Sequence, residues 1–286
     1  MLEVQGTTAV KSRTYVLNGD NVSVIGHVRP YVAGQTVRVR ISSPHRKPTV
    51  VHTKVSKGKG EGTFKVRFRA RRAVAYAIYA RHDGTDKQVL FQAKAAAQAI
   101  NANGAGPGSH GISIALLKQG LRALGYTAGN GPYWTDQLGR EIMAFRKVNN
   151  MARVFTANRE VFKMVFAGHG AFKLLHPDAG KHVEFDWSRQ VLALAQGGKV
   201  VATYHASSGK PSTPTVFGTY HFYLKGPGTN AKGMYMSNFF IRGYAIHGYP
   251  EVPTYAASHG CIRVPNSDAN AIYSWINLGD TIFVYR

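Results

Sequence analysis

The periodicity of apolar residues changes twice along this chain, and that change limits the folds open to it. Between residues 22 and 79 apolar and polar side chains tend to alternate, whereas residues 112–166 repeat apolar side chains every three or four positions. Short strand-like segments return after residue 181. Alternation is typical of half-buried strands, and the longer repeat is typical of amphipathic helices. The sequence therefore predicts a multidomain, mainly β protein with a small helical module between two β-rich parts.

The first part, residues 1–96, is predicted to be a basic β-sandwich-like domain. Apolar and basic residues occupy opposite faces in residues 37–41 (VRVRI) and 64–69 (FKVRFR), as in antiparallel strands with one face on a core. Residues 1–100 contain 18 Lys and Arg against 5 Asp and Glu, a large share of the net charge of +22. Such a surface favours anionic partners. A solvated strand face would produce the same pattern, so both interpretations stay open.

The middle of the chain is predicted to contain a linker and then a helical module. Residues 97–109 are small, rich in Gly and Ala and uncharged, which is typical of a linker. Residues 110–170 are predicted to form three short helices, too few to hold much core alone, so the module is expected to pack on a neighbour. The apolar stripes of the first two helices are Leu117, Leu121 and Leu124, and Leu138, Ile142, Phe145 and Val148.

Composition excludes several classes of protein. One cysteine allows neither an intrachain disulfide nor a cluster of several thiolates. No segment approaches the ~20 apolar residues of a membrane span. The first twenty residues have no continuous apolar run, so no secretory signal is visible in them.

The single cysteine lies in residues 258–263 (SHGCIR), and His247 precedes it by fourteen positions (261 − 247). A positioned imidazole increases the thiolate fraction of a free thiol and then serves as a general acid. The backbone N–H groups of such a turn can converge on a developing oxyanion, and Arg263 can hold a carboxylate. A lone cysteine is also often an inert, buried small residue. These residues alone leave catalysis and a structural role open.

A metal site is disfavoured by the same residues. His247, His259 and Cys261 could supply three ligands, but neither a second cysteine nor a carboxylate stands at ligand spacing. No metal and no cofactor are expected.

This pattern resembles a known family. His247 and Gly248, a short spacer and residues 258–264 (SHGCIRV) are similar to the signature of the YkuD-type L,D-transpeptidase catalytic domain. Residues 183–192 and 207–220 are similar to the opening strands and the Thr/Pro-rich loop of that family, and the resemblance covers residues 180–286. Residues 116–151 resemble a peptidoglycan-binding-like helical module more loosely. The sequence GNGPYW at residues 129–134 replaces its usual Asp-Gly-x-Phe-Gly loop.

The resemblance implies a role for each residue of the motif. Cys261 is expected to be the nucleophile and His247 its base, with the Gly248 carbonyl orienting the imidazole. The backbone N–H groups of His259, Gly260 and Cys261 are expected to form the oxyanion hole, although the His259 ring could instead be the orienting group. The expected substrate-binding residues are Ser258, Arg263, Tyr235, Met234 and Tyr249, with Tyr223, Phe239 and Phe240 as further candidates for a cap.

The implied activity is peptidoglycan L,D-transpeptidation. The Cys261 thiolate would attack a tetrapeptide stem, release D-Ala and leave a thioester, which an amine of a second stem would resolve as a 3→3 cross-link. The expected partners are donor and acceptor stem peptides, anionic cell-wall polymers on the basic N-terminal domain, and carbapenem-type β-lactams as inhibitors. No specific nucleic acid is expected, and the expected location is the cell envelope, outside the cytoplasm.

Two other classes stay open. The chain could be another Cys/His acyltransferase of a sortase-like kind, although in that class the arginine lies on a later strand. It could also be a non-enzymatic, basic wall-binding protein whose binding would survive Cys261→Ala.

Overall fold

The computed structural model describes residues 1–5, 8–10 and 13–286, with residues 8–10 described by their backbone alone. The chain divides into two compact units, Met1–Gly104 and Ala105–Arg286. The predicted mainly β fold class and the small helical module are confirmed. The finer division of the chain, into residues 1–96, 97–109, 110–170 and 180–286, stays a prediction.

The first unit is built from two sheets. Its strands are β1 (Leu2–Gln5), β2 (Thr8–Val10), β3 (Arg13–Leu17), β4 (Asn21–Val28), β5 (Thr36–Ser42), β6 (Thr49–Lys54), β7 (Ser56–Lys57), β8 (Gly62–Arg69), β9 (Ala75–His82) and β10 (Phe91–Ile100). One sheet has the order β1-β4-β8-β7 and the other β2-β3-β10-β9-β5-β6. Alternate residues of β5 and β8 are buried, and Val39 and Val66 belong to one core cluster. The alternation in the sequence therefore identified the inward face of both sheets.

Residues 97–100, at the start of the segment predicted as a linker, form the end of strand β10. Strand β10 continues to Ile100 and lies between β3 and β9. Ala97 and Ala99 are buried in the core of this unit. Small side chains fit a closely packed strand as well as they fit a linker, so composition could not separate the two. Strand β11 (Gly104–Ala105) follows.

The second unit contains the four helices and the remaining strands. The helices are α1 (Ile112–Ala123), α2 (Asp136–Val148), α3 (Arg159–Phe166) and α4 (Asn266–Trp275). The strands are β12 (Ala157–Asn158), β13 (His182–Asp186), β14 (Val191–Gln196), β15 (Lys199–His205), β16 (Gly218–His221), β17 (Leu224–Thr229), β18 (Tyr235–Ile241), β19 (Tyr244–Tyr249), β20 (Ile262–Pro265) and β21 (Thr281–Tyr285).

The two larger sheets of this unit have the orders β15-β14-β13-β21-β16 and β17-β18-β19-β20. Their apolar faces share one core with α4, including Phe185, Ile246, Ile262 and Ile272. Packing of Ile246 and Ile262 in this core thus fixes the positions of β19 and β20. No helix in the described part of the chain is long and apolar enough to cross a membrane.

Two of the helices, α2 and α3, begin at a residue whose side chain caps them. The Thr135 hydroxyl accepts a hydrogen bond from the Leu138 N–H at the start of α2, and the Asn158 side chain does the same for the N–H of Val161 in α3. The α2 residues Leu138, Ile142 and Phe145 are fully buried. Helix α2 packs against β15, so the helical module buries its apolar stripe on the sheet that follows it, as expected.

An ion pair also joins α2 to α4. The Arg140 guanidinium donates two hydrogen bonds of 2.9 Å to the carboxylate of Asp268, in a partly buried position. Paired donors of this geometry fix orientation as well as distance. The helical module and the β part of the second unit are therefore held together by polar contacts as well as by apolar packing.

Candidate active site

The candidate nucleophile and the candidate base lie on neighbouring strands. Strands β19 and β20 are parallel, with His247 opposite Arg263, and Cys261 immediately precedes β20. The Cys261 sulfur lies 3.7 Å from the carbonyl oxygen of Gly243, just before β19 begins. Parallel neighbours need a long connection, and residues 250–261 provide it here. This connection brings Cys261 back to β19, the strand that carries His247.

His247 is held in one tautomer. Its Nδ1 atom lies 2.9 Å from the carbonyl oxygen of Gly248, and the side chain is buried. A carbonyl only accepts hydrogen bonds, so Nδ1 carries the proton and Nε2 keeps its lone pair. Burial lowers the pKa of His247, and the Arg263 charge lowers it further, although the Gly248 carbonyl acts in the opposite direction. The imidazole is therefore neutral at pH 7 and able to accept a proton.

Cys261 is partly exposed, and burial of the sulfur raises the pKa of its thiol. A backbone hydrogen bond at Ala245 and the positive charges of Arg263 and Lys232 oppose that rise. A raised thiol pKa and a lowered imidazole pKa leave both groups neutral at rest. The arrangement therefore favours proton transfer to His247 at the moment of attack rather than a stored thiolate–imidazolium pair.

The turn before Cys261 is fixed by Ser258. Its hydroxyl donates a hydrogen bond of 2.5 Å to the carbonyl oxygen of Cys261 and accepts one of 3.1 Å from the Gly260 N–H. The Gly260 N–H is thus already paired, and of the three N–H groups expected to form the oxyanion hole, those of His259 and Cys261 remain for that role. The His259 side chain is exposed.

Gly260 has a φ of +116°, a backbone conformation that residues with a side chain rarely adopt. A Cβ at this position would lie 1.9 Å from a ring carbon of Tyr244. Tyr244 therefore packs directly over the turn that carries the nucleophile. The sequence analysis did not single out Tyr244, because an aromatic residue at the start of a strand has no signal of its own.

The Arg263 guanidinium stacks over the Tyr249 ring, 3.9 Å from its centroid. The Tyr249 ring also packs against the His247 ring in an edge-to-face arrangement, with 5.9 Å between the two ring centroids. Within the described residues the Nε atom of Arg263 has no hydrogen-bond partner. That Nε atom is buried, and the guanidinium is held by stacking on Tyr249, while the residue as a whole is only partly buried.

The other expected substrate-binding residues are placed differently. The Tyr235 ring lies over Gly248, and its hydroxyl donates to the Asn270 side chain at 3.1 Å, so it borders the site. Met234 is buried beside the turn of Asn230. Tyr223 is exposed, whereas Phe240 is buried in the core. Phe240 is therefore a core residue rather than part of a cap.

The Thr/Pro-rich loop supports the turn from the other side. The Thr215 hydroxyl donates to the Gly260 carbonyl oxygen at 2.8 Å and accepts from the Gly209 N–H at 2.8 Å. Ser207 and Arg263 exchange two backbone hydrogen bonds of 2.9 and 2.8 Å. Gly209 leaves no room for a side chain, because a Cβ there would lie 2.2 Å from the Thr213 carbonyl oxygen. The loop resemblance located this segment, but not its contacts with the nucleophile turn.

A buried lysine lies behind this loop and was missed by the sequence analysis. The Nζ atom of Lys147, at the end of α2, contacts the carbonyl oxygens of Gln190 and Ala206 at 3.1 and 2.9 Å and Nδ1 of His205 at 2.8 Å. The Gln190 side chain in turn bonds both the N–H and the hydroxyl of Ser208. A chain of hydrogen bonds therefore links α2 to the segment that pairs with the nucleophile turn.

No group of three or more His, Cys, Asp or Glu side chains that could hold a metal ion occurs in the part of the chain that the structure describes.

Comparison with known proteins identifies the domain that carries this site. Residues 180–284 match the family model for YkuD, the L,D-transpeptidase catalytic domain. An L,D-transpeptidase fragment from Xylanimonas cellulosilytica DSM 15894 is 29% identical, with a TM-score of 0.57 over 63% of this chain and 97% of that chain. No curated protein matches the chain.

Two further solved structures are more distant. An L,D-transpeptidase from Stackebrandtia nassauensis is 20% identical, covers 64% of this chain and 95% of its own, and has a TM-score of 0.41. L,D-transpeptidase 3 from Mycobacterium tuberculosis, solved with a faropenem-derived adduct, is 19% identical, covers 37% of this chain and 60% of its own, and has a TM-score of 0.34.

The family match and the fold place this domain in a class of acyltransferases. Residues 180–284 are a YkuD-type L,D-transpeptidase catalytic domain.

Proposed function

We propose that this protein is a cysteine-dependent peptidoglycan L,D-transpeptidase. The observation that supports it most is the placement of Cys261 beside strand β19, which carries His247 with a protonated Nδ1 and a free lone pair on Nε2. A neutral base next to a neutral thiol is what a general-base acyl transfer requires.

The first half of the reaction forms a thioester. His247 Nε2 takes the thiol proton while the Cys261 sulfur attacks the carbonyl carbon of the amide before the terminal D-Ala of a tetrapeptide stem. The backbone N–H groups of His259 and Cys261 stabilise the oxyanion. The carbon–nitrogen bond then breaks, and the proton held by His247 passes to the departing amine of D-Ala.

The second half forms the cross-link. The side-chain amine of a diaminopimelate residue on a second stem attacks the thioester and gives up a proton through His247. The carbon–sulfur bond breaks, and the thiol of Cys261 is restored with that proton. One amide is exchanged for another, so the 3→3 link forms without any energy-rich cofactor.

Arg263 is the proposed anchor of a substrate carboxylate, because its positively charged guanidinium is held over Tyr249, whose ring also contacts that of His247. Tyr235 and Tyr249 are proposed to border the donor stem, with Ser258 shaping the turn and Met234 behind it.

In the same proposal the protein works in the cell envelope, where this substrate is, and its basic first unit retains it on anionic wall polymers. Release from isolated walls that does not change with ionic strength would contradict this retention.

The decisive experiment is intact-mass measurement after incubation with a carbapenem, for the wild type and for Cys261→Ala. A β-lactam carbonyl offers the thiol the same attack as the stem amide, and ring opening leaves a stable thioester. One adduct on the folded wild type, absent from the variant and from heat-unfolded wild type, is the expected result. Tetrapeptide stems are then offered with and without a diaminopimelate amine, and the products are identified by mass.

Absence of any adduct on folded protein would contradict the proposal and favour a sortase-like acyltransferase or a wall-binding protein. An adduct with hydrolysis of stems but without a cross-linked product would keep the thioester step and replace the amine acceptor by water.

A further inference from the structure

A strongly cationic cavity opens on the first unit, far in sequence from the catalytic residues. Its volume is about 320 Å³, and it lies where the connection between β5 and β6 approaches the end of β8. This is close to the lower end of the range of small-ligand sites. Six exposed basic side chains line it, namely Arg46, Lys47, Arg67, Arg69, Arg71 and Arg72, and the lining contains no Asp or Glu.

The fold builds this cluster from two segments. Arg67 and Arg69 are alternate residues of β8 and share its outer face, and Arg71 and Arg72 follow in the turn. That turn is fixed, because the Tyr76 hydroxyl bonds both the N–H and the carbonyl oxygen of Arg72, at 3.3 and 3.4 Å. The second segment is the loop between β5 and β6, which supplies the remaining two cations.

The ion pairs found among the described residues of this unit lie outside the cluster. Two of its carboxylates have partners of their own: Glu61 pairs with His27 and Arg29, and Asp83 pairs with Arg81. None of the ion pairs found among the described residues includes a member of the cluster. Arg69 donates from Nε to the Gly19 carbonyl oxygen at 3.0 Å, which leaves the rest of its guanidinium to bind.

The six positive side chains repel one another because they line the same cavity. A bound anion would relieve this repulsion and would be attracted by each of them. A single carboxylate would neutralise one of them, whereas phosphate groups in series bring several charges into the same volume. Guanidinium groups also match phosphate oxygens with paired donors. The density of charge therefore favours phosphate over carboxylate.

The aromatic residues that line the cavity argue against a nucleic acid as its ligand. Phe68 is half-buried and Tyr76 is buried, and their rings pack on each other with centroids 5.1 Å apart. Neither ring is presented as a platform for a base, which single-strand binding sites normally provide.

We propose that this cavity, bounded by Arg46, Arg67 and Arg72, binds the phosphate groups of an anionic polymer. The inference rests on the proposed function, in which the first unit binds anionic cell-wall polymers. It adds the binding site and the chemical group that is recognised. It does not depend on the acyl-transfer step, because the cavity lies entirely within Met1–Gly104.

The test is the affinity of the full chain for a short-chain inorganic polyphosphate, measured by calorimetry at several salt concentrations. The variant Arg67→Gln, Arg71→Gln, Arg72→Gln removes three charges of the cluster. The matched control Arg40→Gln, Lys57→Gln, Lys59→Gln removes three exposed charges of the same unit outside the cavity. We expect the first variant to weaken binding at least about tenfold and to reduce the salt dependence, and the control to change it much less.

Equal weakening by both variants would overturn the proposal, because net charge rather than the cavity would then be responsible. Equal affinity for poly-L-glutamate of similar length would overturn the preference for phosphate. Binding to phosphatidylglycerol vesicles without binding to polyphosphate would assign the site to a lipid surface and overturn the polymer. Carbapenem acylation of the same variants is expected to equal that of the wild type, so a failure of the catalytic proposal would be seen separately.

Discussion

Nζ of Lys147 lies 2.8 Å from Nδ1 of His205, and each residue is 2% exposed. The other ring nitrogen of His205 lies 2.9 Å from the carbonyl oxygen of Val252, which only accepts hydrogen bonds. That nitrogen therefore carries the proton of a neutral imidazole, and Nδ1 accepts from Lys147. With the two carbonyl oxygens already described, the ammonium form of Lys147 has an acceptor for each of its three protons.

Burial acts against this ammonium and lowers the pKa of Lys147 to about 6, with the charge of Arg153 adding to the effect. Burial and the Lys147 charge likewise lower the pKa of His205, to about 3. The pair therefore holds one positive charge at most. The three acceptors favour its location on Lys147.

Replacing Lys147 by Met should destabilise the second unit and slow acylation of Cys261. The variant keeps the length of the side chain but leaves three buried acceptors unpaired, and an unsatisfied buried acceptor costs about 1–3 kcal/mol. The melting temperature and the rate of carbapenem acylation are the measurements. Lys173→Met, an exposed lysine outside the helices, is the control. Wild-type values of both quantities in Lys147→Met would show that the buried contacts support neither stability nor the nucleophile turn.

The neutral resting state of Cys261 and His247 predicts the pH dependence of alkylation. Because the pKa of the thiol is raised, the rate of reaction with iodoacetamide should keep rising above about pH 8.5, the ordinary thiol pKa. His247→Ala should retain this alkaline rise, while its carbapenem acylation should fall by roughly two to four orders of magnitude. A plateau in the wild-type alkylation rate that begins below pH 7 would instead demonstrate a stored thiolate.

Glu141 makes the stability of the second unit pH-dependent. The carboxyl group is buried with one oxygen 2.5 Å from the Thr127 hydroxyl, and burial raises its pKa to about 8 although that hydroxyl opposes the rise. The folded state therefore holds a proton that the unfolded state releases above about pH 4.5. Stability from this group is present below that pH and is lost as the pH rises through 8.

Glu141→Gln should remove this loss, because the amide is neutral at every pH. We expect its melting temperature to exceed that of the wild type by at least about 3 °C at pH 9 and to approach it near pH 4.5. Glu160→Gln, at an exposed position in α3, is the control and should show no such trend. Parallel melting curves for Glu141→Gln and the wild type across this range would contradict a protonated Glu141.

Gly260→Ala should impair the active site through Tyr244. The new methyl group would occupy the space of the tyrosine ring, and the positive φ adds backbone strain. A shift of the nucleophile by about 1 Å is enough to reduce the acylation rate roughly a hundredfold. Gly243→Ala is the matched control, since a Cβ there has nothing within 4 Å and no positive φ is found. Equal rates in the two variants would mean that the turn yields without effect on the thiol.

Local pattern predicted much of the fold because the relevant forces are local or nearly so. The alternating segments at residues 37–41 and 64–69 lie within β5 and β8, and the predicted apolar stripe of Leu138, Ile142 and Phe145 lies in α2. The prediction was incomplete where two structures share a composition. The alanines at the end of β10 have a composition that is equally typical of a linker.

The candidate site residues that could be predicted from the sequence are those that belong to short, continuous motifs. The segment around Cys261 and the pair His247 and Gly248 could be found because the motif is short. Lys147 could not be found, because helical periodicity cannot distinguish a lysine that enters the neighbouring sheet from one that faces water. The same holds for Tyr244, whose contact with Gly260 depends on a turn far along the chain.

The polar contacts of α2 have a consequence for how such proteins are assembled from parts. Arg140 is bound to Asp268 of α4, and Lys147 is bound to β15 and to the residues that flank β14 and β15. A catalytic fragment cut at residue 180 would therefore have lost interior donors and exposed an apolar face. The helical segment and the strands of the second unit are therefore expected to function as one structural unit. Exchanging the helices for another module would require matched substitutions at each of these contacts.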